Sequence, residues 1–390
     1  MHQWKRTIAA VLLAMMLAVG VAVPVSQPAC AAVSVDGWAT QTSGTTWTLF
    51  GVWGDSSSSI FASGEYGTIL HYNGSTWTPM STGVTNVFFD VWGSSSDNVF
   101  AVGQNGIIMH YDGVSWSAMT SNTSSHLHGV WGTSSSDVFA VGNGGTIMHY
   151  DGTSWSLMAN SNTNHLRSVW GSAPDDVFAA GNGATILHYD GISWTSMAAG
   201  NPPNLSGVWG SAGDDVFVVG NTGTILHYDG ISWSEMTSGV GDGLDAVWGT
   251  SGDDVFAAGQ SGRILHYDGT SWTAMTSGVT CELQALWGNA SLNVYAVGQT
   301  GTILHYKEPA PIVVAVNPSY GDQGETLSVV INGNNFSGTT AVSFGADIAV
   351  DNFTINGDTQ ITAVVTIDGD ALSGPRDVTV TNADGTGTLD

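Results

Sequence analysis

Tryptophan recurs with a fixed period through most of this chain, and that period limits the fold more than any other feature. Trp53, Trp92, Trp131, Trp170, Trp209, Trp248 and Trp287 stand 39 residues apart. A second series, Trp77, Trp116, Trp155, Trp194, Trp233 and Trp272, keeps the same spacing, and one step back from Trp77 lands on Trp38. Two ladders in one register mark tandem copies of a single supersecondary unit. One copy, read from residue 166, runs Leu-Arg-Ser-Val-Trp-Gly, a turn, Asp-Val-Phe-Ala-Ala-Gly, a second turn, Thr-Ile-Leu-His-Tyr, Asp-Gly-Ile and Ser-Trp-Thr-Ser-Met. Each stretch is short, rich in β-branched and aromatic residues, and closed by Gly, Asp or Asn, as strands are. No stretch keeps a helical period over the 11 or more residues that mark a helix. Four short strands in about 40 residues make one propeller blade. A β-solenoid is the rival architecture, with shorter coils and less varied turns.

The ends of the array predict a closed ring. The seventh unit reaches Leu304-His305-Tyr306 and meets Lys307-Glu308-Pro309, with no Asp-Gly-x-Ser-Trp strand to follow. The missing strand lies near the other end of the chain, at Asp36-Gly37-Trp38. Paired into the last blade, it ties first blade to last and removes the seam that an open edge would leave.

The units resemble the Val-Trp-Gly, Asp-Val-Phe-Ala-Val-Gly, Gly-Thr-Ile-Leu-His-Tyr-Asp-Gly-x-Ser-Trp repeats of secreted bacterial propeller proteins, a group similar in kind to sialidase-type and photosystem-assembly propellers. The resemblance covers roughly residues 33 to 307. It implies a fold far more than an activity.

After Tyr306 the ladders stop. Residues 308–311, with Pro309-Ala310-Pro311, form a stiff link. Residues 312–390 carry short strands with frequent turn signals: Ile312 to Pro318, Leu327 to Ile331, Val342 to Gly345, Gln360 to Ile367 and Arg376 to Thr381. Through Pro318, Gly321, Gly324, the Asn332-Gly333-Asn334-Asn335-Phe336 run and Val-Ser-Phe-Gly, this tail resembles an IPT/TIG domain, an immunoglobulin-like module. The expected fold class is therefore all-β: a seven-bladed β-propeller with N-terminal strand closure over residues 33–307, followed by an immunoglobulin-like β-sandwich.

Residues 1–32 read as a secretory signal peptide. Lys5 and Arg6 precede an apolar run from Ile8 to Val23, then small residues at Ala29, Ala31 and Ala32. About 16 apolar residues fall short of the roughly 20 that span a bilayer, so no transmembrane segment is expected once cleavage after Ala31 or Ala32 has occurred. The expected location is secreted or cell-surface, with the periplasm left open. That cut removes Lys5, Arg6 and Cys30, leaving 6 − 2 = 4 basic residues against 32 acidic ones. Such a field repels phosphate backbones, so no nucleic-acid partner is expected. It also leaves Cys281 as the single cysteine, which predicts a fold held by packing without an intramolecular disulfide.

Seven histidines, from His71 to His305, recur once per blade, and the expected role is a hydrogen bond within each blade rather than a metal site. The framework tryptophans are expected to pack between blades. Asp175-Asp176, Asp214-Asp215 and Asp253-Asp254 raise calcium as a weak alternative; carboxylates at a turn more often bond backbone amides. No nucleophile elbow, His-Glu-x-x-His or phosphate loop is present in the sequence, and no cofactor is expected. Asp90 and Asp245 break the repeat on inner strands but do not amount to a catalytic pair.

The seven copies diverge most at the position three residues before each framework tryptophan of the first ladder. There stand Phe50, Phe89, His128, Arg167, Ser206, Asp245 and Gln284. The expectation is that these residues, with His126 and His165 beside them, form a recognition ring at the mouth of the propeller, on the face that also carries the turn after the second strand and the crossover to the next blade. The expected function is extracellular binding or adhesion, toward a glycan or a surface protein, without catalysis. The alternatives are a hydrolase or lyase acting on polysaccharide, and a structural component of a cell-surface layer.

Overall fold

The structure, a computed structural model, describes residues 37–307, 309–382 and 385–389. The expected leader, its cleavage site and Cys30 lie outside the described residues. Seven antiparallel sheets of four strands each follow one another along the chain. The first contains Leu49–Ser56, Ser59–Gly64, Ile69–Tyr72 and Trp77–Met80, from innermost to outermost. The seventh has Leu283–Ala290, Asn293–Gly298 and Ile303–Lys307, and its outermost strand is Trp38–Gln41 from the start of the array. Trp38 pairs with Tyr306 and Gln41 with Ile303. Each innermost strand lies beside the next, and Leu283–Ala290 lies beside Leu49–Ser56, so the units close into a ring.

The Val-Trp-Gly motif has a steric reason. The framework tryptophan of one blade lies on the glycine that follows the tryptophan of the next. A Cβ on Gly93 would lie 2.7 Å from Trp53 Cη2, and one on Gly171 would lie 2.7 Å from Trp131 Cη2. The last contact of this kind joins the two ends: a Cβ on Gly54 would lie 2.8 Å from Trp287 Cη2. The second ladder packs in the same sense. Trp194 sits edge-on to Phe139 of the blade before it, at 6.3 Å between ring centroids, and Trp77 sits edge-on to Tyr295 of the seventh blade at the same separation. Both ladders are therefore interblade packing, as expected, and buried area lost at either would fall on two blades at once.

The recurrent histidine works inside its blade. His149 Nε2 meets Asp137 Oδ1 at 2.6 Å, joining the second strand to the third, and the imidazole packs on Phe139. The same pair recurs as His188–Asp176, His227–Asp215 and His266–Asp254. Here the expectation for the Asp pairs needs correcting. The second aspartate of each bonds this histidine and a Ser or Thr hydroxyl, Ser172 in the case of Asp176, with no backbone amide partner among the described residues. The amide-binding role belongs to the aspartate of Asp-Gly-x-Ser-Trp. Asp112 Oδ1 accepts from the N–H groups of Val114 and Ser115 at 3.0 and 2.8 Å, while Gly113 takes φ +87° to complete the turn.

Cys281 also departs from expectation, because it is disulfide-bonded.

The C-terminal residues form two small sheets, one of Ile312–Asn317, Thr326–Asn334, Gln360–Ile367 and Ile348–Gly357, the other of Ala341–Ser343, Val378–Asn382 and Gly385–Leu389. They share one buried core around Ile331, Phe336, Ile361, Ala363 and Val380. The strands Ile348–Gly357 and Gly385–Leu389 were not among those expected.

Candidate functional site

A bulge decides where the divergent position points: in every blade the pairing register shifts there, between Leu127 and Gly129 in the third, so residue 128 and its counterparts are the extra residue of the strand. In the innermost strand, Leu127, Val130 and their counterparts are buried against neighbouring blades. The residue three before the framework tryptophan is left facing the axis of the ring. All seven expected residues, Phe50, Phe89, His128, Arg167, Ser206, Asp245 and Gln284, line one cavity of about 350 Å³. Asn182, Asn204 and Asn221 complete its wall. These three lie in the turn after the second strand and in a crossover, the face the sequence indicated. His126 and His165 are not in the wall. Their Nδ1 atoms accept from the N–H groups of Asn105 and Gly144, fixing the crossovers to the preceding turns.

The asparagines were missed, although Asn182 and Asn221 carry a signal. Residues 65, 104, 143, 182, 221, 260 and 299 share the 39-residue register, and all but Glu65 are carboxamides. They orient the ring from behind. His128 Nε2 lies 2.8 Å from Asn143 Oδ1, and Arg167 Nε donates to Asn182 Oδ1 at 3.2 Å. Arg263 and Arg376 have carboxylate partners, whereas Arg167 belongs to no ion pair among the described residues.

The wall is divided by chemistry. Phe50 and Phe89 meet edge-on at 5.6 Å, and Phe89 lies 4.7 Å from His128. Burial holds the His128 imidazole down at about 4, helped by the Arg167 charge, so it is neutral at pH 7 and belongs to the apolar arc. On the other side of Arg167 and Ser206 stands Asp245. Burial, followed by the charge of Glu282 and a hydrogen bond with it, raises Asp245 to about 7, against the opposing pull of the Arg167 charge. Gln299 Nε2 donates to Glu282 Oε2 at 2.6 Å, and Asp245 Oδ2 is buried with no hydrogen-bond partner among the described residues.

Asp90, the other acidic break in the repeat, is spent on structure. Its two oxygens accept from Val91 N at 2.8 Å and Val130 N at 2.9 Å, joining the second and third blades, and burial raises it to about 7 as well.

The Asp245 shift has a definite sign. A carboxyl whose folded value is raised from 3.8 to about 7 loses stability for the protein as pH climbs through that window, because the unfolded chain releases its proton first. Asp245→Asn is therefore expected to melt close to the wild type at pH 4 and above it at pH 8, with the gap opening between those limits. A gap independent of pH in calorimetry would show that Asp245 is ionised throughout.

A larger cleft, about 600 Å³, opens in the C-terminal unit between Tyr320, Phe344, Leu372 and Arg376. Its floor, Val329, Phe344, Val365 and Val378, is that unit's own core. It is where the two small sheets part, and no repeat-breaking charge lines it in the way Asp245 and Arg167 line the ring.

No protein-family model and no curated protein matches the sequence. Solved structures do. YCF48 bound to D1 peptide is similar at TM-score 0.60 and 18% identity, over 73% of this chain and 100% of that one. YCF48 from Cyanidioschyzon merolae is similar at 0.59 and 17%, over 70% and 98%. The WD40 propeller domain of Doa1 is similar at 0.60 and 11%, over 70% and 96%. At these identities the likeness concerns fold alone, and the conclusion it carries is that the repeats of this chain form a β-propeller.

Proposed function

We propose that this chain is an exported binding protein that receives its ligand at the mouth of the propeller, and that it is not an enzyme. The observation that carries the reading is the convergence of the seven most divergent repeat positions on one cavity, while the framework around them stays constant. A rigid scaffold with variable residues at one mouth is how a propeller holds a binding surface in place. The similar YCF48 structure contains a D1 peptide, which supports a protein or peptide ligand over a glycan. The tail, with its two small sheets around one core, is read as the IPT/TIG-type, immunoglobulin-like module that its sequence resembles.

In a screen of peptides, surface proteins and glycans, Phe89→Ala and Arg167→Ala are each expected to weaken the bound ligand by about tenfold or more, the loss of one central contact. A ligand that binds both variants as well as the wild type would move the site away from the mouth.

A further inference from the structure

We propose that Arg167, Asn182 and Asn204 form a carboxylate seat at the mouth, which takes a single acidic group of a peptide ligand, from an aspartate or glutamate side chain or from a chain terminus. This rests on the mouth being the binding site and adds the chemical group that its ligand presents.

The three residues line the same cavity and are linked by hydrogen bonds that engage their oxygens. Arg167 Nε donates to Asn182 Oδ1 at 3.2 Å. Gly183 N, the next residue of that turn, donates to Asn204 Oδ1 at 2.9 Å. Each bond fixes which end of a carboxamide is oxygen and leaves its Nδ2 group to donate elsewhere. The guanidinium keeps both terminal nitrogens, since Nε makes the one hydrogen bond of Arg167 among the described residues. This part of the wall therefore presents donors. A planar guanidinium flanked by amide N–H groups matches the two oxygens of a carboxylate. A cation would meet the Arg167 charge instead.

The turn that holds Asn182 departs from its counterparts. Residues 67, 106, 145, 223, 262 and 301 are glycine, and position 184 is alanine. Ala184 still takes φ +58°, a left-handed conformation that glycine adopts without steric cost and alanine does not. Where the other blades form a 3-10 turn, such as Asn143–Gly145, the fourth has a plain turn, and its strand Thr185–Tyr189 starts one residue early. A Cβ on Gly145 would lie 2.0 Å from Asn162 O in the crossover that follows. The alanine therefore requires its own crossover, Asn201-Pro202-Pro203-Asn204, to stand farther off, and the Asn204 side chain reaches back to Gly183. Backbone departures of this kind collect at ligand sites.

Charge in the rest of the wall narrows the ligand. Asp245, beyond Ser206 in ring order, feels the Arg167 charge but forms no ion pair with it among the described residues. Once ionised, its carboxylate opposes an incoming anion. The formal charge of −26 opposes one at long range as well. A single carboxylate in an otherwise neutral or basic segment meets both limits, whereas a phosphate with nearly two charges does not. On the other side of Arg167, neutral His128 and the Phe50–Phe89 pair offer apolar surface to the neighbouring residue of the same peptide.

The test is titration calorimetry on the full chain at pH 8. Four probes are compared: acetyl-Gly-Glu-Phe-Gly-amide, its glutamine counterpart, that glutamine peptide with a free C-terminal carboxylate, and a phosphoserine counterpart. At least one carboxylate peptide is expected to bind about tenfold or more tighter than the neutral one, and which of the two does so tells side chain from terminus. Asn204→Asp keeps the acceptor for Gly183 N–H and removes the donor, so binding is expected to fall by about tenfold or more while the melting temperature holds. Arg167→Gln should lose as much. Asp245→Asn removes the opposing charge and should tighten binding by about threefold or more. Equal binding of the neutral peptide, tighter binding of the phosphoserine peptide than of both carboxylates, no binding of any probe, unchanged affinity in Asn204→Asp, or no gain in Asp245→Asn would each overturn the proposal. The mouth reading fails separately, when a ligand found in the wider screen ignores both Phe89→Ala and Arg167→Ala. A ligand that needs Phe89 but binds Asn204→Asp as well as the wild type removes the seat and leaves the mouth in place.

Discussion

Gly54→Ala is expected to lower the free energy of unfolding by about 3 kcal/mol, the upper range for forcing a methyl group into a filled core. The new Cβ would stand 2.7 Å from the Ser59 carbonyl oxygen and 2.8 Å from Trp287 Cη2. Neither neighbour can retreat cheaply, since one is ladder backbone and the other is a ring held by Tyr295 and the seventh blade. The Ser59 clash is local and would exist in any arrangement of the repeats. The Trp287 clash exists only when the last blade lies against the first. A double-mutant cycle separates them. Trp287→Ala alone should cost about 3–5 kcal/mol through the cavity it leaves. Combined with Gly54→Ala it should cost less than the sum by about 1 kcal/mol or more, because the alanine methyl then occupies emptied space. Strict additivity in denaturant unfolding would mean that the two residues do not touch, and the ring would be open.

The second large effect is expected at the strand that crosses the ends of the array. Trp38 is fully buried among Phe256, Leu283 and Tyr306. Gln41 at the other end of the strand accepts from Trp77 Nε1 at 2.6 Å and meets His305 Nδ1 at 3.2 Å, so its amide connects the seventh blade to the first. Trp38→Ala is expected to cost about 3–5 kcal/mol, as for other fully buried tryptophans. Deleting 37–41 should cost more, because it also exposes the edge of Ile303–Lys307 and invites pairing between molecules. Calorimetry should show a lower and broader transition for the deletion, and light scattering should show association on heating. An unchanged transition would mean that closure does not depend on this strand.

Much of the fold was legible because each repeat restates the same local rules. A short strand, a turn residue and a tryptophan at a constant spacing leave a blade as the unit that satisfies them, and the mismatch between the two ends of the array indicates the closing strand. The recognition ring was legible for a related reason. Position 128 and its counterparts vary in a framework where neighbours such as Leu127 and Val130 stay apolar, and equivalent positions of equivalent blades share one face; that the position is a bulge, which turns it toward the axis, appears only in the strand pairing. The ring of carboxamides from Gln104 to Gln299 was written in the same period and was passed over because its members look like ordinary turn residues. In the C-terminal unit no period was available. Ile348–Gly357 alternates weakly and is largely exposed, so Asn356-Gly357 was the main local sign of the hairpin it makes with Gln360–Ile367.

By itself the sequence determined the blade, the number of blades, the strand that seals them and the residues that face the axis, since all of these follow from spacing along the chain. Tertiary structure alone decided which of those residues act together. Asp245 and Glu282 belong to different copies of the repeat, and only when adjacent blades pack does the Glu282 charge act on Asp245. Spacing specifies the direction in which a side chain leaves its strand; the distance between two such side chains, and so their charge, is set by the closure of the ring.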